Sequence, residues 1–333
     1  IPNDTVYELE LFKEEIPFKA LNIAQASAHK FTIGYQGSPK DVAITVKKGG
    51  QVIPYKVSKF PEKDSLQVWV NTVKGDSLTV AISKNKFEKQ FSIKFKEQKK
   101  DSVSFSSDQI GTLSFRNTFA INSSTPLKSW DVTKIKLINK DSAEVKFTAE
   151  YEEFTQKLKI NFQKEPLEKY QLSILPGAMT SFLEKSNDSL SYNFETKNIS
   201  DYGNLRVILN NVKRFPVLVE LTTKDGKVVA SEYSEKNTTL DFNLLEPAIF
   251  TIRLIYDDNK DKSWTPGNFL EKRQSEEVIY FCRNMLLAKT AHKYLESIVK
   301  NSNIYISGFE KIDTDQISSI ISELNKTYIE MRE

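Results

Sequence analysis

The oxygen-bearing side chains that best match a metal-binding spacing lie in the segment DDNKDKSW, around residue 260. Four of them stand at alternate positions, the spacing with which a loop wraps oxygen ligands around Ca²⁺: Asp257, Asn259, Asp261 and Ser263. Lys262 occupies the position where such loops usually have glycine, and no glutamate stands at the end of the loop. The segment therefore predicts either a calcium site or a solvated Asp/Asn turn that needs no ion. Calcium is the one cofactor that the sequence suggests.

Side chains for acid–base or nucleophilic catalysis are scattered along the sequence. His29 and His292 are the only histidines and lie far apart, so neither a zinc cluster nor a Ser-His-Asp arrangement has local support. Cys282 is the single cysteine, and we interpret it as a small buried apolar residue. An alternating acidic stretch predicts a solvated strand edge and not a glycosidase pair: Glu150, Glu152 and Glu153. No catalytic residue is predicted, and we expect a non-enzymatic protein.

The composition favours several small cores and argues against a nucleic-acid partner. The chain has 333 residues, 39% of them hydrophobic, with 21 Phe and 13 Tyr. That length fits two or three domains. The 47 basic and 44 acidic residues almost cancel, and lysines alternate with acids instead of forming basic blocks. The one cysteine also excludes an intrachain disulfide, so packing alone must hold the domains.

Alternation of apolar and polar residues predicts β-strands from residue 1 to residue 281. Short alternating runs such as FTIGY and LQVWV are separated by turn residues roughly every 8–12 positions. The charged run KEQKKD at 96–101 predicts a solvated linker or an exposed turn, and we place a domain boundary there. We therefore predict a mainly β chain of tandem sandwiches with these segments: a linker strand at 1–16, sandwiches at 17–97, 98–198 and 199–281, and a tail at 282–333.

The tail has a different periodicity, which predicts an α-helical extension. Apolar residues after position 281 follow helical spacing: Leu286, Leu287, Ala291, Leu295, Ile298 and Val299. Asp313 or Thr314 is placed to cap a second amphipathic helix over DQISSIISELNKTYIEM. Since fewer than about three heptads are available, we expect these helices to pack on each other or on the last sandwich rather than form a coiled coil.

Three segments carry a resemblance to a known family. The stretch from NLRVILNNV to EEVIYF, the opening IPNDTVYELELFKEE and the segment KEPLEKYQLSILPGA resemble Bacteroidota lipoproteins with bacterial Ig-like domains of the surface-layer type. The ending LLEPAIFTIRLI is also similar to prealbumin-like sandwiches. The resemblance covers residues 1–281 and implies Ig-like and prealbumin-like folds. The resemblance also implies a lipidated N-terminal cysteine. Because the opening residues lack a signal pattern, we expect the signal peptide or lipid anchor upstream, in a longer precursor.

The resemblance implies a function in the cell envelope. Members of this family are mainly spacers and interaction surfaces, so the implied role is a structural or protein-interaction subunit at the outer membrane, on its cell-surface or periplasmic face, within an assembly, export or uptake complex. Its partners would be other envelope proteins. The alternative is a glycan-binding module, which requires exposed aromatic residues as a stacking platform: Trp69, Trp130 and Trp264.

Asp followed by Ser or Thr and an aliphatic or small residue recurs along the chain. The pattern resembles the O-glycosylation sequon of exported Bacteroidota proteins, with the hydroxyl group as the attachment point. The candidate sites are Thr5, Ser65, Ser77, Ser102, Ser142 and Ser189. Asp-Ser is also ordinary turn chemistry before a strand, and a turn accommodates a glycan, so both readings stay open.

Overall fold

A computed structural model describes residues 16–60, 63–109, 111–268, 272–280, 285–287, 292–300 and 303–310. Most of the predicted linker strand at 1–16 lies outside the described residues. Contacts divide the chain into two compact units, one holding residues 15–197 and the other the residues from 198 onward. No helix among the described residues is long and apolar enough to cross a membrane.

The first sandwich consists of two four-stranded antiparallel sheets. Its strands are β1 (Lys19–Ser27), β2 (Lys30–Gln36), β3 (Ala43–Lys48), β4 (Gln51–Val52), β5 (Tyr55–Lys59), β6 (Ser65–Val70), β7 (Ser77–Lys84) and β8 (Phe87–Lys94). The sheet orders are β1-β2-β6-β5 and β4-β3-β7-β8. Alternate residues such as Phe31, Ile33 and Val80 are fully buried between them. The chain crosses from one sheet to the other after β4, which leaves β5 at an edge.

The second sandwich lies in the same unit and has its own core. Its strands are β9 (Phe105–Ser107), β10 (Gly111–Thr112), β11 (Phe119–Ser123), β12 (Leu127–Trp130), β13 (Ile135–Asn139), β14 (Phe147–Glu152), β15 (Lys157–Phe162), β16 (Lys169–Ile174), β17 (Met179–Ser181) and β18 (Leu190–Glu195). A 3₁₀ turn at Val132–Lys134 precedes β13. The sheets are β10-β18-β16-β13, β14-β15-β11-β9 and β12-β17. Stacked rings of Phe119 and Phe194, 4.5 Å apart, lie at the centre of this core.

The other unit begins with a 3₁₀ turn at Ile199–Asp201 and holds a third apolar core. Its strands up to residue 280 are β19 (Gly203–Asn210), β20 (Val217–Thr222), β21 (Val228–Ser234), β22 (Thr239–Leu245), β23 (Ala248–Tyr256) and β24 (Val278–Tyr280). Strand β19 pairs with β22, and the second sheet has the order β21-β20-β23-β24. The KDGK turn joins β20 and β21 in an antiparallel hairpin.

The expected helical extension is wrong where the structure describes it. Residues near the C-terminus form β25 (Met285–Leu287), β26 (His292–Lys300) and β27 (Asn303–Glu310). Strand β26 pairs in parallel with β19 and antiparallel with β27. The edge of β19 provides main-chain hydrogen-bonding partners, and this tertiary pairing overrides the helical spacing of the apolar residues. The second expected helix lies outside the described residues.

The described chain is thus mainly β, as the alternation predicted. Three separate apolar clusters lie within residues 18–95, 113–194 and 205–279. The exact boundaries proposed for the segments stay predictions.

Candidate functional site

The loop after β23 contains the four residues of the predicted calcium site. Asp257 is completely buried, and its carboxylate accepts hydrogen bonds from the main-chain N–H groups of Asp261 (3.1 Å) and Lys262 (2.9 Å). Ser263 donates to the Asp261 carboxylate through both its N–H group and its hydroxyl, each at 2.8 Å. The Nδ2 atom of Asn259 donates to the same carboxylate at 3.2 Å. The four side chains are therefore neighbours, and their oxygens face N–H and O–H donors.

Glu276 is a further member of this loop that sequence reasoning missed. Its buried carboxylate accepts the N–H groups of Thr265 (2.8 Å) and Asn259 (3.3 Å). Burial raises the pKa of Glu276, the two N–H donors lower it, and the negative charges of Asp257 and Asp261 raise it, so the pKa lies above its ordinary value. No spacing rule connects residue 276 to the loop, because only the antiparallel pairing of β24 with β23 brings it there.

A metal centre does not emerge from this arrangement. Within the described residues, no group of three or more His, Cys, Asp or Glu side chains is arranged to hold a metal ion. The carboxylates instead satisfy the main-chain N–H groups of the loop, which is the chemistry of Asx-type turns. Calcium binding at this loop stays a prediction, to be decided by titration.

The other residues considered for catalysis or metal binding lie at a turn, at a sheet edge, or where no side chain is described. His29 is half-buried at the β1–β2 turn, and the described part of the chain gives no side-chain position for His292 or Cys282. Glu150 and Glu152 lie on β14, at the edge of its sheet, and Glu152 pairs with Lys159 at 2.9 Å.

The hydroxyl groups proposed for glycosylation differ in exposure. Four of them are exposed: Ser77, Ser102, Ser142 and Ser189. Ser65 is half-buried at the start of β6, and Thr5 lies outside the described residues. The exposed serines remain accessible candidates for modification.

The three tryptophans have different environments. Trp69 is 1% exposed, and its Nε1 atom donates to the hydroxyl of Ser58 at 3.2 Å. Trp264 is half-buried and donates to the carbonyl of Glu276 at 3.2 Å. Trp130 is 37% exposed, with its ring 5.6 Å from that of Tyr151. Of the three tryptophans, Trp130 is therefore the most exposed and the one to consider for stacking on a sugar.

The linker between the first and second sandwiches is hydrogen-bonded to both. On the side of the first sandwich, the Asp101 carboxylate accepts the Ser27 hydroxyl at 2.7 Å and the His29 N–H group at 3.3 Å. On the other side, Ser104 and Ser124 exchange hydrogen bonds, from the Ser104 N–H group to the Ser124 hydroxyl (2.9 Å) and from the Ser124 N–H group to the Ser104 carbonyl (3.0 Å). The predicted solvated linker is thus anchored along its length.

The turn between β14 and β15 makes a second connection between the two sandwiches. The carbonyl of Phe154 accepts the N–H group of Lys59, at the end of β5, at 2.9 Å. Beside it, Glu153 forms an ion pair with Lys56 at 2.6 Å. One main-chain hydrogen bond and one ion pair therefore hold this turn against the edge of the first sandwich.

A cavity of about 480 Å³ lies beside this contact. Its walls are mainly apolar and come from both sandwiches: Pro39, Val42, Ile44, Tyr55, Val57, Leu66 and Phe154. The Tyr55 hydroxyl donates to the carbonyl of Ile44 and so presents its ring to the cavity. Ser38, Lys40 and Asp41 supply polar groups to the lining. We name this region the β5 site: the cavity together with the free edge of β5. Its volume lies in the range of ligand-binding pockets.

Comparisons with known proteins give only distant likenesses. No family model matches the chain, and no curated protein matches it. The chain is similar to a crystal structure of the major pilin subunit BcpA of Bacillus cereus, with 9% identity over 79% of this chain and 95% of that one, and a TM-score of 0.23. It is also similar to the MG0-NIE-MG1 portion of Escherichia coli alpha-2-macroglobulin, with 10% identity over 62% of this chain and 78% of that one, and a TM-score of 0.26. At such TM-scores these likenesses support no conclusion about function.

Proposed function

We propose that this chain is a non-enzymatic structural or protein-interaction subunit of the cell envelope. The observation that carries the proposal is the junction of the first two sandwiches. Asp101 ties the linker to the first sandwich, and the Phe154 carbonyl and Glu153 tie the second sandwich to β5. A linker that only tethered two modules would be solvated and flexible. An anchored one fixes the geometry of the modules, which is what a spacer or assembly subunit requires.

The cellular location rests on the resemblance of residues 1–281 to lipoproteins of the outer membrane. On this proposal the chain is held at the membrane by a lipid anchor outside the present sequence, on the cell-surface or periplasmic face. Its sandwiches are of the Ig-like and prealbumin-like types, and it works within an assembly, export or uptake complex.

Co-purification from native membranes tests this proposal. The tagged full-length protein should fractionate with the outer membrane and recover a constant set of envelope proteins after crosslinking. A matched Asp101→Ala variant, which removes the acceptor of the Ser27 and His29 hydrogen bonds, should recover the same set at lower yield. Recovery of the protein alone, or its presence in the soluble fraction only, would contradict the proposal.

Glycan binding is the alternative function, and the exposure of Trp130 supports it. Its ring lies 5.6 Å from that of Tyr151, whereas Trp69 and Trp264 donate hydrogen bonds to protein atoms. Titration with envelope polysaccharide fragments should then quench Trp130 fluorescence. A Trp130→Ala variant should lose binding by about tenfold, since one stacked ring is worth roughly 1 kcal/mol or more. Unchanged binding in this variant would exclude Trp130 as the platform.

The serine sites extend the proposal to covalent modification. We propose that exposed serines such as Ser77 and Ser142 carry glycans on protein from the native host. Intact-mass measurement should then show added hexose-type mass, lost stepwise in Ser77→Ala and Ser142→Ala. An unmodified mass would contradict this proposal.

A further inference from the structure

The outer edge of β5 exposes main-chain hydrogen-bonding groups. Among the described residues, strand β5 pairs with β6 and has no strand on its other side. The Lys59 N–H group points away from β6, because it donates to the Phe154 carbonyl. Main-chain groups alternate in direction along a strand, so those of Val57 and Tyr55 also point outward. Val70, which faces Tyr55 across the β5–β6 pair, supports this direction. Its N–H group donates away from β5, to the His29 carbonyl beside β2.

These outward groups are available to a partner. In the part of the chain that the structure describes, the N–H and C=O groups of Tyr55 and Val57 form no main-chain hydrogen bond beyond the sheet. An exposed edge of this kind is a template for an added strand. The edge of β5 therefore offers two donors and two acceptors to an extended polypeptide.

The cavity lies directly beside this edge and is lined by the same residues. The side chains of Tyr55 and Val57 form one wall, while Ile44 and Leu66 reach it from the core. Recognition by strand addition uses main-chain hydrogen bonds for affinity and pockets for alternate side chains for specificity. Both parts of that recognition mode are present at the β5 site.

The chain itself provides an example of the contact. Phe154 accepts the Lys59 N–H group through its carbonyl and lines the cavity with its ring. A single residue thus combines a main-chain hydrogen bond to the β5 edge with an aromatic side chain at the cavity. It occupies the Lys59 end of the edge, and Glu153 beside it pairs with the Lys56 side chain, so the main-chain groups that remain for a partner are those of Tyr55 and Val57.

Charges around the site specify the electrostatics of a partner. Lys40 and Lys59 are exposed beside the cavity and at the end of β5, and Lys84 donates to the Ser38 carbonyl at the cavity lining. Among the described residues of the lining Asp41 is the acidic one, and the nearby Glu153 is paired with Lys56. A segment with acidic side chains complements this balance.

We propose that the β5 site binds an extended, acidic segment of another polypeptide. The segment adds a strand beside β5 and places one large apolar side chain in the cavity next to Phe154. The inference rests on the proposed role as an interaction subunit and specifies the surface and the chemistry of the partner.

Peptide binding tests the inference directly. The probes are two synthetic nonapeptides of alternating Thr and Glu, one with Phe at the centre and one with Ala, titrated onto the full chain by fluorescence anisotropy. The Phe peptide should bind at least about tenfold more tightly than the Ala peptide, because burial of one large side chain contributes roughly 1.5–3 kcal/mol. Higher salt should weaken both.

Two variants separate the main-chain contact from the side-chain contact. Val57→Pro removes an outward N–H group without disturbing the β5–β6 ladder, and Val57→Ala keeps that group while removing the side chain. The proline variant should lose about tenfold more affinity than the alanine variant. Lys59→Glu should weaken binding several-fold at low salt, and the matched Lys94→Glu, an exposed lysine of β8, should not. Thermal melts should confirm that each variant folds.

The outcomes distinguish this inference from the proposed function. Equal binding of both peptides, no binding, or full affinity in Val57→Pro would overturn the inference. Recovery of envelope partners by both wild type and Val57→Pro would also overturn it while leaving the proposed function intact. Loss of those partners in Val57→Pro alone would support both.

Discussion

The loop after β23 and the edge of β5 make opposite use of hydrogen-bonding groups. In the loop, the carboxylates of Asp257, Asp261 and Glu276 all accept hydrogen bonds from the loop itself. At the edge, the outward main-chain groups of Tyr55 and Val57 have no such partner among the described residues. The loop has the more reactive residue types, and the edge has the more available groups.

This difference shows that the chemical character of a group and its availability to a partner are separate properties. A carboxylate that accepts two N–H groups stabilises a fold and offers little to a ligand. An apolar cavity beside an unpaired strand edge offers both desolvation and hydrogen bonds, although its residues carry no reactive group. Two questions can be tested: whether the hydrogen bonds of the loop stabilise the fold, and whether the main-chain groups at the β5 edge are unpaired.

Removal of the Asp257 carboxylate should have the largest effect. In Asp257→Ala, the N–H groups of Asp261 and Lys262 lose their acceptor, which is a fully buried carboxylate. A hydrogen bond to a charged group contributes roughly 1.5–3 kcal/mol, so loss of the two should lower the unfolding free energy by about 3 kcal/mol. Chemical denaturation measures this, and hydrogen exchange should show both amides losing protection.

A matched aspartate provides the control. Asp225 is exposed in the KDGK hairpin, and Asp225→Ala should change the unfolding free energy by less than about 0.5 kcal/mol. Equal effects of the two substitutions would mean that the loop is not closed by Asp257.

A pair of prolines should reveal the open side of β5. Ser58 faces Gln67 and lies in the phase that points toward β6, so Ser58→Pro removes a ladder hydrogen bond and should cost about 3 kcal/mol. Val57→Pro removes an outward N–H group and should cost less than about 1 kcal/mol. Urea denaturation of the two variants measures the contrast. Comparable losses would show that the outward groups are already engaged.

The sequence predicted which residues form strands better than it predicted which strands pair with each other. FTIGY lies within β2, where period-two alternation reflects one buried face, whereas LQVWV lies within β6, whose residues 66–70 are all buried. The exposure of one edge of β5 depends on the crossing to the other sheet after β4, which no local pattern encodes. The helix predicted at residues 292–300 was wrong for a related reason, because pairing with β19 decides the conformation of this segment.

The candidate site was predicted only in part, for the same physical reason. The spacing from Asp257 to Ser263 pointed to one loop, where these side chains lie as neighbours, and the calcium site itself stays a prediction. The spacing did not show that N–H groups of the loop would occupy those oxygens, or that Glu276 would join them across the sheet. Neither Tyr55 nor Val57 carried a sequence signal, because their role arises from position at an edge beside a cavity.

The buried Glu276 should give the loop a distinct pH dependence. Its pKa in the folded protein lies above the ordinary value of 4.5, so the folded state holds the proton more tightly than the unfolded chain. The resulting stabilisation is fully present below about pH 4.5 and is lost as the pH rises through the folded-state pKa. The unfolding free energy of wild type relative to Glu276→Gln should therefore fall as the pH rises. A difference that is flat or rises with pH would contradict the raised pKa.

Addition of Ca²⁺ should have the smallest effect on the stability of the protein. This measurement tests directly whether the loop binds an ion. An ion at this site would need the oxygens of Asp257 and Asp261, and recruiting them would break hydrogen bonds to the N–H groups of Asp261, Lys262 and Ser263. Because binding an ion would have to break these hydrogen bonds, millimolar Ca²⁺ should leave the melting temperature of the protein unchanged, as Mg²⁺ should. A rise of several degrees with Ca²⁺ alone, abolished in Asp261→Ala, would show instead that the alternating oxygens bind the ion by rearranging the loop, because a ligand that binds only the folded state must stabilise it.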